Sequence, residues 1–164
     1  SCLLREIAKF RNYDLYVGTN YPSAGCRARG AYTPYACGQE AAKYNLQIIN
    51  FNRLRPGAIW IDVEENTAGN IFGNSQSDNT EFLRGMRDGM QRSGKLIGFY
   101  SNVGMWNTIT GGWRHDRFTW YGTGRSTASG ARSFCRTSFG GGTNLYVQYV
   151  VGGVQNGQDW NVHC

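Results

Sequence analysis

Apolar and polar positions recur along this chain with two periods. Leu3, Leu4, Ile7 and Ala8 fall at helical spacing, so residues 2–10 are expected to form a short helix. Asp14 to Asn20 is apolar and β-prone, and a turn-rich stretch from Pro22 to Pro34 follows. Gln39 to Asn50 has a helical pattern. Pro56-Gly57 then interrupts before Ala58 to Glu64, a strand rich in Ile and Val. Asp78 to Ser93 is the clearest helix, with Asp78 as cap, Glu81 at the reciprocal capping-box position and Gly94 after its end. Phe82, Leu83, Met86 and Met90 form its apolar stripe.

The second half continues the alternation. Lys95 to Ser101 predicts a strand, Met105 to Ile109 a short helix, and Phe118 to Gly122 another strand. Thr127 to Ser138 is expected to be helical, and Asn144 to Val150 a strand before the tail Gln158 to Cys164. Near-continuous apolar strands separated by helices indicate an α/β protein with a parallel sheet covered by helices. Such sheets bind their ligands at the carboxyl ends of the strands. The length, 164 residues, suits a single domain spanning 1–164.

Composition narrows the class. Charged residues make up only 17% while aromatics reach 14%, which excludes a disordered chain. A net charge of +6 draws the chain toward anionic partners such as bacterial cell wall, acidic lipid or nucleic acid. The basic residues are scattered, however, and no Lys/Arg run or RNP-like motif supports nucleic acid. No apolar stretch is long enough to span a membrane, and no basic amphipathic helix suggests action on one.

Cysteine usage points outside the cell. Cys2, Cys26, Cys37, Cys135 and Cys164 show no metal-type spacing, and His115 and His163 complete no zinc site, so neither metal nor cofactor is expected. Structural disulfides in an oxidising compartment fit better. Loop logic pairs Cys26 with Cys37 and Cys135, on a late helix, with Cys164. Cys2 is left for a residue outside this sequence, in an extracellular assembly partner for instance, or as a free thiol. The chain starts at Ser1 with neither Met nor signal peptide, which reads as processed or incomplete.

The chemistry concentrates on one strand. Asp62 and Glu64 occupy positions i and i+2 near its carboxyl end, on one face, with Cα atoms about 6.6 Å apart. Under the apolar Ile59-Trp60-Ile61 run the two carboxylates repel, and one should hold its proton more tightly. A proton donor beside an ionised carboxylate is what glycosidic cleavage requires. Other strand ends carry groups suited to sugars: Tyr100 and Ser101, Trp120 and Tyr121, Gln148 and Tyr149. Core packing is the plainer account of any one aromatic, but their recurrence at equivalent positions carries weight.

From Ala58-Ile59-Trp60-Ile61-Asp62-Val63-Glu64, through Ile97-Gly98-Phe99-Tyr100-Ser101-Asn102 and Trp106, to Trp120-Tyr121, Val147-Gln148-Tyr149 and Asp159-Trp160-Asn161, the chain resembles the glycoside hydrolase family 25 lysozymes. The resemblance implies a modified (β/α)8 barrel that is secreted and hydrolyses the β-1,4 bond of peptidoglycan between N-acetylmuramic acid and N-acetylglucosamine. It implies Glu64 as general acid, Asp62 as supporting carboxylate, and Asp159 as the carboxylate near the last strand. Tyr100, Trp120, Tyr121, Gln148 and Tyr149 would bind substrate, and a neighbouring-group mechanism through the acetamido oxygen would follow. If Asp62 and Glu64 lie on the fourth strand, Asp14 to Asn20 is the third. The family's first two strands, with their cleft Asp, then have no counterpart, and the implied barrel is incomplete at its N-terminus. Asp14 begins its strand and would lie at the opposite mouth. That gap motivates the alternative: a non-catalytic carbohydrate-binding or structural component of an extracellular assembly.

Overall fold

The computed structural model describes residues 13–19, 23–28, 30–64, 75–152 and 157–164. The helix expected over residues 2–10, and Cys2 with it, lies outside them. The chain forms a mixed α/β fold that divides into two compact units, Ser1–Ile61 with Phe72–Ile97 and Asp62–Ile71 with Gly98–Cys164.

The first unit carries strand β1 (Leu15–Gly18), helices α1 (Ser23–Ala28) and α2 (Pro34–Phe51), most of β2 (Ala58–Asp62), and α3 (Gln76–Gln91). Thr33 caps α2 through its hydroxyl, which accepts from the Ala36 amide at 3.2 Å, and Pro34 follows in the first turn. The helix therefore starts well before Gln39. Helix α3 likewise starts earlier than expected. Its cap is Ser75, whose hydroxyl accepts from the Asp78 amide at 3.1 Å. Asp78 sits instead in the first turn, where its charge suits the helix dipole.

The two helices meet at backbone distance. A Cβ on Gly38 would stand 2.0 Å from the Phe82 carbonyl oxygen, one on Gly85 2.0 Å from that of Tyr35, and one on Gly89 2.6 Å from the Ala42 methyl. Phe82, Leu83, Met86 and Met90 are fully buried, as their spacing predicted, together with Ile59, Trp60 and Ile61. Asp14 is occupied at the amino end of β2, accepting from the Ala58 amide at 2.9 Å and from Trp60 Nε1 at 3.1 Å. The disulfide Cys26–Cys37 ties α1 to α2.

The second unit continues β3 (Leu96–Ser101) into α4 (Val103–Thr110), β4 (Phe118–Gly122), α5 (Ala128–Arg132), β5 (Thr143–Val151) and β6 (Gln158–His163). Strands lie in the order β3-β4-β5-β6, with β3/β4 and β4/β5 parallel and β5/β6 antiparallel. The last pairing corrects the expectation of an all-parallel sheet. Only six residues separate β5 from β6, too few for the dozen or more that a parallel crossover needs. The described residues supply six strands, so a complete eight-stranded barrel is not what they form.

The expected helix over Thr127 to Ser138 is also shorter. Thr127 does cap it, but it ends at Arg132, because the buried Asn144 side chain donates to the carbonyls of Phe134 (2.9 Å) and Thr137 (2.6 Å) and holds that stretch as turns. Cys135 lies in those turns rather than on a helix, and bonds to Cys164. Behind the sheet, Phe99, Trp106, Trp113, His115 and Phe139 form a ring cluster with centroids from 4.7 to 6.0 Å apart.

Candidate active site

The site grows from the residue between the two carboxylates. Val63 is fully buried. Its amide donates to the Tyr100 carbonyl at 2.9 Å, and its own carbonyl accepts from the Ser101 hydroxyl at 2.7 Å. Both polar groups of Val63 are thus tied to the end of β3, which carries Asp62 and Glu64 on either side of a fixed point. Burial, and then the Glu64 charge, pushes the Asp62 carboxyl up to about 7. Burial also raises Glu64, with Asp159 adding to the rise and a hydrogen bond from Tyr100 opposing it. The Tyr100 hydroxyl is pushed up in turn, first by burial and then by the charges of Glu64 and Asp62. A phenol raised in this way keeps its proton available to donate.

Strand register brings the remaining groups onto the same face. Tyr100 pairs with Trp120, Trp120 with Tyr146, and Tyr146 with His163. One step further on, Gly122 pairs with Gln148 and Gln148 with Asn161; beyond them Val150 pairs with Asp159. Side chains two apart share a face, so Asp159 on β6 comes to the same side as Tyr100 on β3. The Tyr100 hydroxyl donates to Gln148 Oε1 at 2.5 Å, and its ring meets the edge of Trp120 with centroids 5.0 Å apart. Trp120 Nε1 donates to Asn161 Oδ1 at 2.8 Å. A cavity of about 520 Å³ opens at this end of the strands, lined by Glu64, Tyr100, Gln148 and Asp159 and also by Tyr121 from the alternate position of β4. Carboxyl groups, a neutral phenol, an amide and flat aromatic edges are the groups with which a pyranose is held and its glycosidic oxygen protonated.

The lysozyme-like protein 1 family matches residues 30–144, which include Asp62, Glu64, Tyr100 and the strands between. The chain belongs to that family. No curated protein matches the sequence significantly. Among solved structures, a muramidase from Trichobolus zukalii is similar at 13% identity and a TM-score of 0.59, with 98% of this chain and 86% of that one covered. The bacterial lysozyme from Streptomyces coelicolor is similar at 20% identity and a TM-score of 0.58, covering 98% and 83% respectively. At these identities the likeness is one of fold. With the family, it puts the chain among lysozyme-like proteins of the glycoside hydrolase family 25 type.

Within this lysozyme-like fold, the residues singled out by sequence divide into three groups. Glu64, Tyr100, Tyr121, Gln148 and Asp159 all reach the cavity. Asp62 is not among the lining residues but acts on Tyr100 through its charge, while Trp120 flanks Tyr100 without lining the cavity. Tyr149 is not brought to the site; it pairs with the exposed Trp160, one residue out of phase with Gln148. Asn102, Gly122 and Phe134 were missed. Asn102 could have been found as the polar residue directly after a strand end, where it also caps α4. Gly122 has room for no Cβ, which would stand 2.7 Å from the Tyr100 hydroxyl. Among the described residues no group of three or more His, Cys, Asp or Glu could hold a metal ion, and no helix is long and apolar enough to cross a membrane.

Proposed function

We propose that this chain is a secreted glycoside hydrolase that cleaves the β-1,4 bonds of peptidoglycan, with Glu64 as general acid. The observation that carries the reading is Glu64 itself: a partly buried carboxyl raised above its ordinary value, beside Tyr100, in a cavity it shares with Asp159. A carboxyl raised in this way holds its proton more tightly than an ordinary one and can protonate the leaving oxygen as the glycosidic bond breaks. Asp62, once ionised, would steady the positive charge that develops at the sugar carbon, or the acetamido group that attacks it. Asp159 contributes negative charge from the far side. Tyr100, Tyr121 and Gln148 line the sugar path, and Trp120 and Tyr149 are further candidates for contacts with longer glycans. The +6 net charge favours an anionic wall, and two disulfides suit an extracellular setting.

Replacing Glu64 with Gln is expected to lower the rate of wall lysis by a factor of about 10² to 10⁴. The far-ultraviolet circular dichroism should stay as it was. Lysis at the wild-type rate in that variant would remove Glu64 from the mechanism.

A further inference from the structure

A second cavity lies in the first unit, at the amino ends of β2 and β3. It measures about 420 Å³, within the roughly 300–1,000 Å³ of small-molecule sites. Every residue that lines it belongs to that unit. Two helix ends build it. After α2 stops at Phe51, Arg53 adopts a left-handed conformation (φ 55°), and the Leu54 amide reaches back to the Ile49 carbonyl at 2.9 Å. After α3, Gly94 turns the chain in the same region of backbone space (φ 69°) before β3 begins.

Burial sorts the lining into a floor and a rim. Ile49, Pro56 and Ile59 are buried, with Leu46 and Leu54 half-buried beside them. Arg55, Arg92 and Lys95 line the same cavity and are exposed. Among the described residues no carboxylate lines it, and none of the three cations forms an ion pair. Asp14, at the start of β2, accepts from the Ala58 amide and Trp60 Nε1. Asp88, one turn before Arg92, is held by Tyr35 and Arg87. Arg55 gives one donor to the Leu54 carbonyl at 3.1 Å and keeps the rest of its fork.

Cations beyond a helix carboxyl end also offset its dipole, but that effect fades outside the last turn. Neither α2 nor α3 has a basic residue in its last turn, so the dipoles account for Arg92, the cap of α3, at most. They give no reason for an apolar hollow beneath the charges. An apolar floor excludes a bare ion or a sugar phosphate as the best occupant, since neither would cover it. Three cations at one mouth favour a head with more than one negative charge, and the arginine fork matches phosphate oxygens in pairs.

We propose that this cavity binds a single-chain amphiphile with a phosphate head, its chain on the apolar floor and its charge among Arg55, Arg92 and Lys95. The site is independent of the reaction proposed for Glu64.

The test is a nuclear magnetic resonance titration of the full chain with n-octyl phosphate, kept below the concentration at which it forms micelles. The amides of Ile49, Ile59 and Lys95 should shift and saturate. Inorganic phosphate supplies the head alone, 1-octanol the chain alone, and octanoate a single charge. Each should bind at least about tenfold more weakly, the worth of one charged hydrogen bond or of two buried methylenes. Arg92→Gln combined with Lys95→Gln should weaken octyl phosphate by about tenfold or more and leave 1-octanol unchanged. Leu46→Trp, which fills the hollow, should weaken both. Glu64→Gln should bind octyl phosphate as the wild type does, so failure of lysis and failure of this site are read separately. The inference is overturned by shifts that do not saturate or that lie elsewhere in the chain. It is equally overturned if any of the three control compounds binds as tightly as octyl phosphate, or if the double variant keeps wild-type affinity.

Discussion

At pH 7 the Asp62 carboxyl is close to half protonated, since burial and the Glu64 charge raise it to about 7. Its value in the unfolded chain is near the ordinary 3.8. Below about pH 4 both states carry the proton, and Asp62 does not affect folding. As pH rises from about 4 toward 7 the unfolded chain releases the proton while the folded one retains it, so stability falls across that window by an amount on the order of a few kcal/mol. Asp62→Asn should therefore raise the melting temperature at pH 7.5 and leave it nearly unchanged at pH 4, as calorimetry at the two pH values would show. Equal effects at both would mean that the carboxyl is not under this strain. Asp62 and Glu64 were legible in the sequence because period-two alternation on an apolar strand decides which side chains share a face. Tyr149 falls one residue out of phase with Gln148 and pairs with Trp160, so the sequence offered no way to tell that it stands off the cavity. Phe134 was not legible at all, because it reaches the site from turns that exist only through Asn144, ten residues away in sequence.

Elements were read more reliably by existence than by boundary. Strands β3 and β4 lie where apolar runs end in aromatic and polar residues. The start of α3 was set one turn late because Asp78 and Ser75 are both competent caps three residues apart, and the choice between them depends on where the preceding chain enters. Ser75→Ala should cost about 1 kcal/mol of stability, measured by urea unfolding, whereas Asp78→Asn should cost only a few tenths. The reverse order would restore Asp78 as the cap. The antiparallel β6 follows from connection length alone, yet its register is what brings Asp159 to the face of Tyr100. The tail from Gln158 is thus a strand that carries one of the cavity's lining residues.

For the whole molecule, the disulfide pairing was the global feature most accessible from sequence. Cys26–Cys37 and Cys135–Cys164 are separated by 11 and 29 residues, and each closes its loop inside one compact unit. In chain-entropy terms the longer loop contributes roughly 3 to 4 kcal/mol. Cys164→Ser should lower stability by about that much, and hydrogen exchange should show β6 opening before β3 and β4. Uniform loss of protection across the second unit would contradict this. The closure of the sheet was less legible, because apolar periodicity gives the strands and their order of appearance but not how many of them join one sheet.

The glycine contacts between α2 and α3 have a consequence for redesign of this protein. Gly38, Gly85 and Gly89 bring the two backbones so close that even a methyl group at any of them would strike the opposite helix. The pair behaves as one moulded part, with no slack for sliding or for incremental variation at the seam. Engineering of the first unit has to proceed from its outer surface, where Tyr44, Ile48 and Phe51 stand exposed along one side of α2. There, side chains can be exchanged without moving a helix.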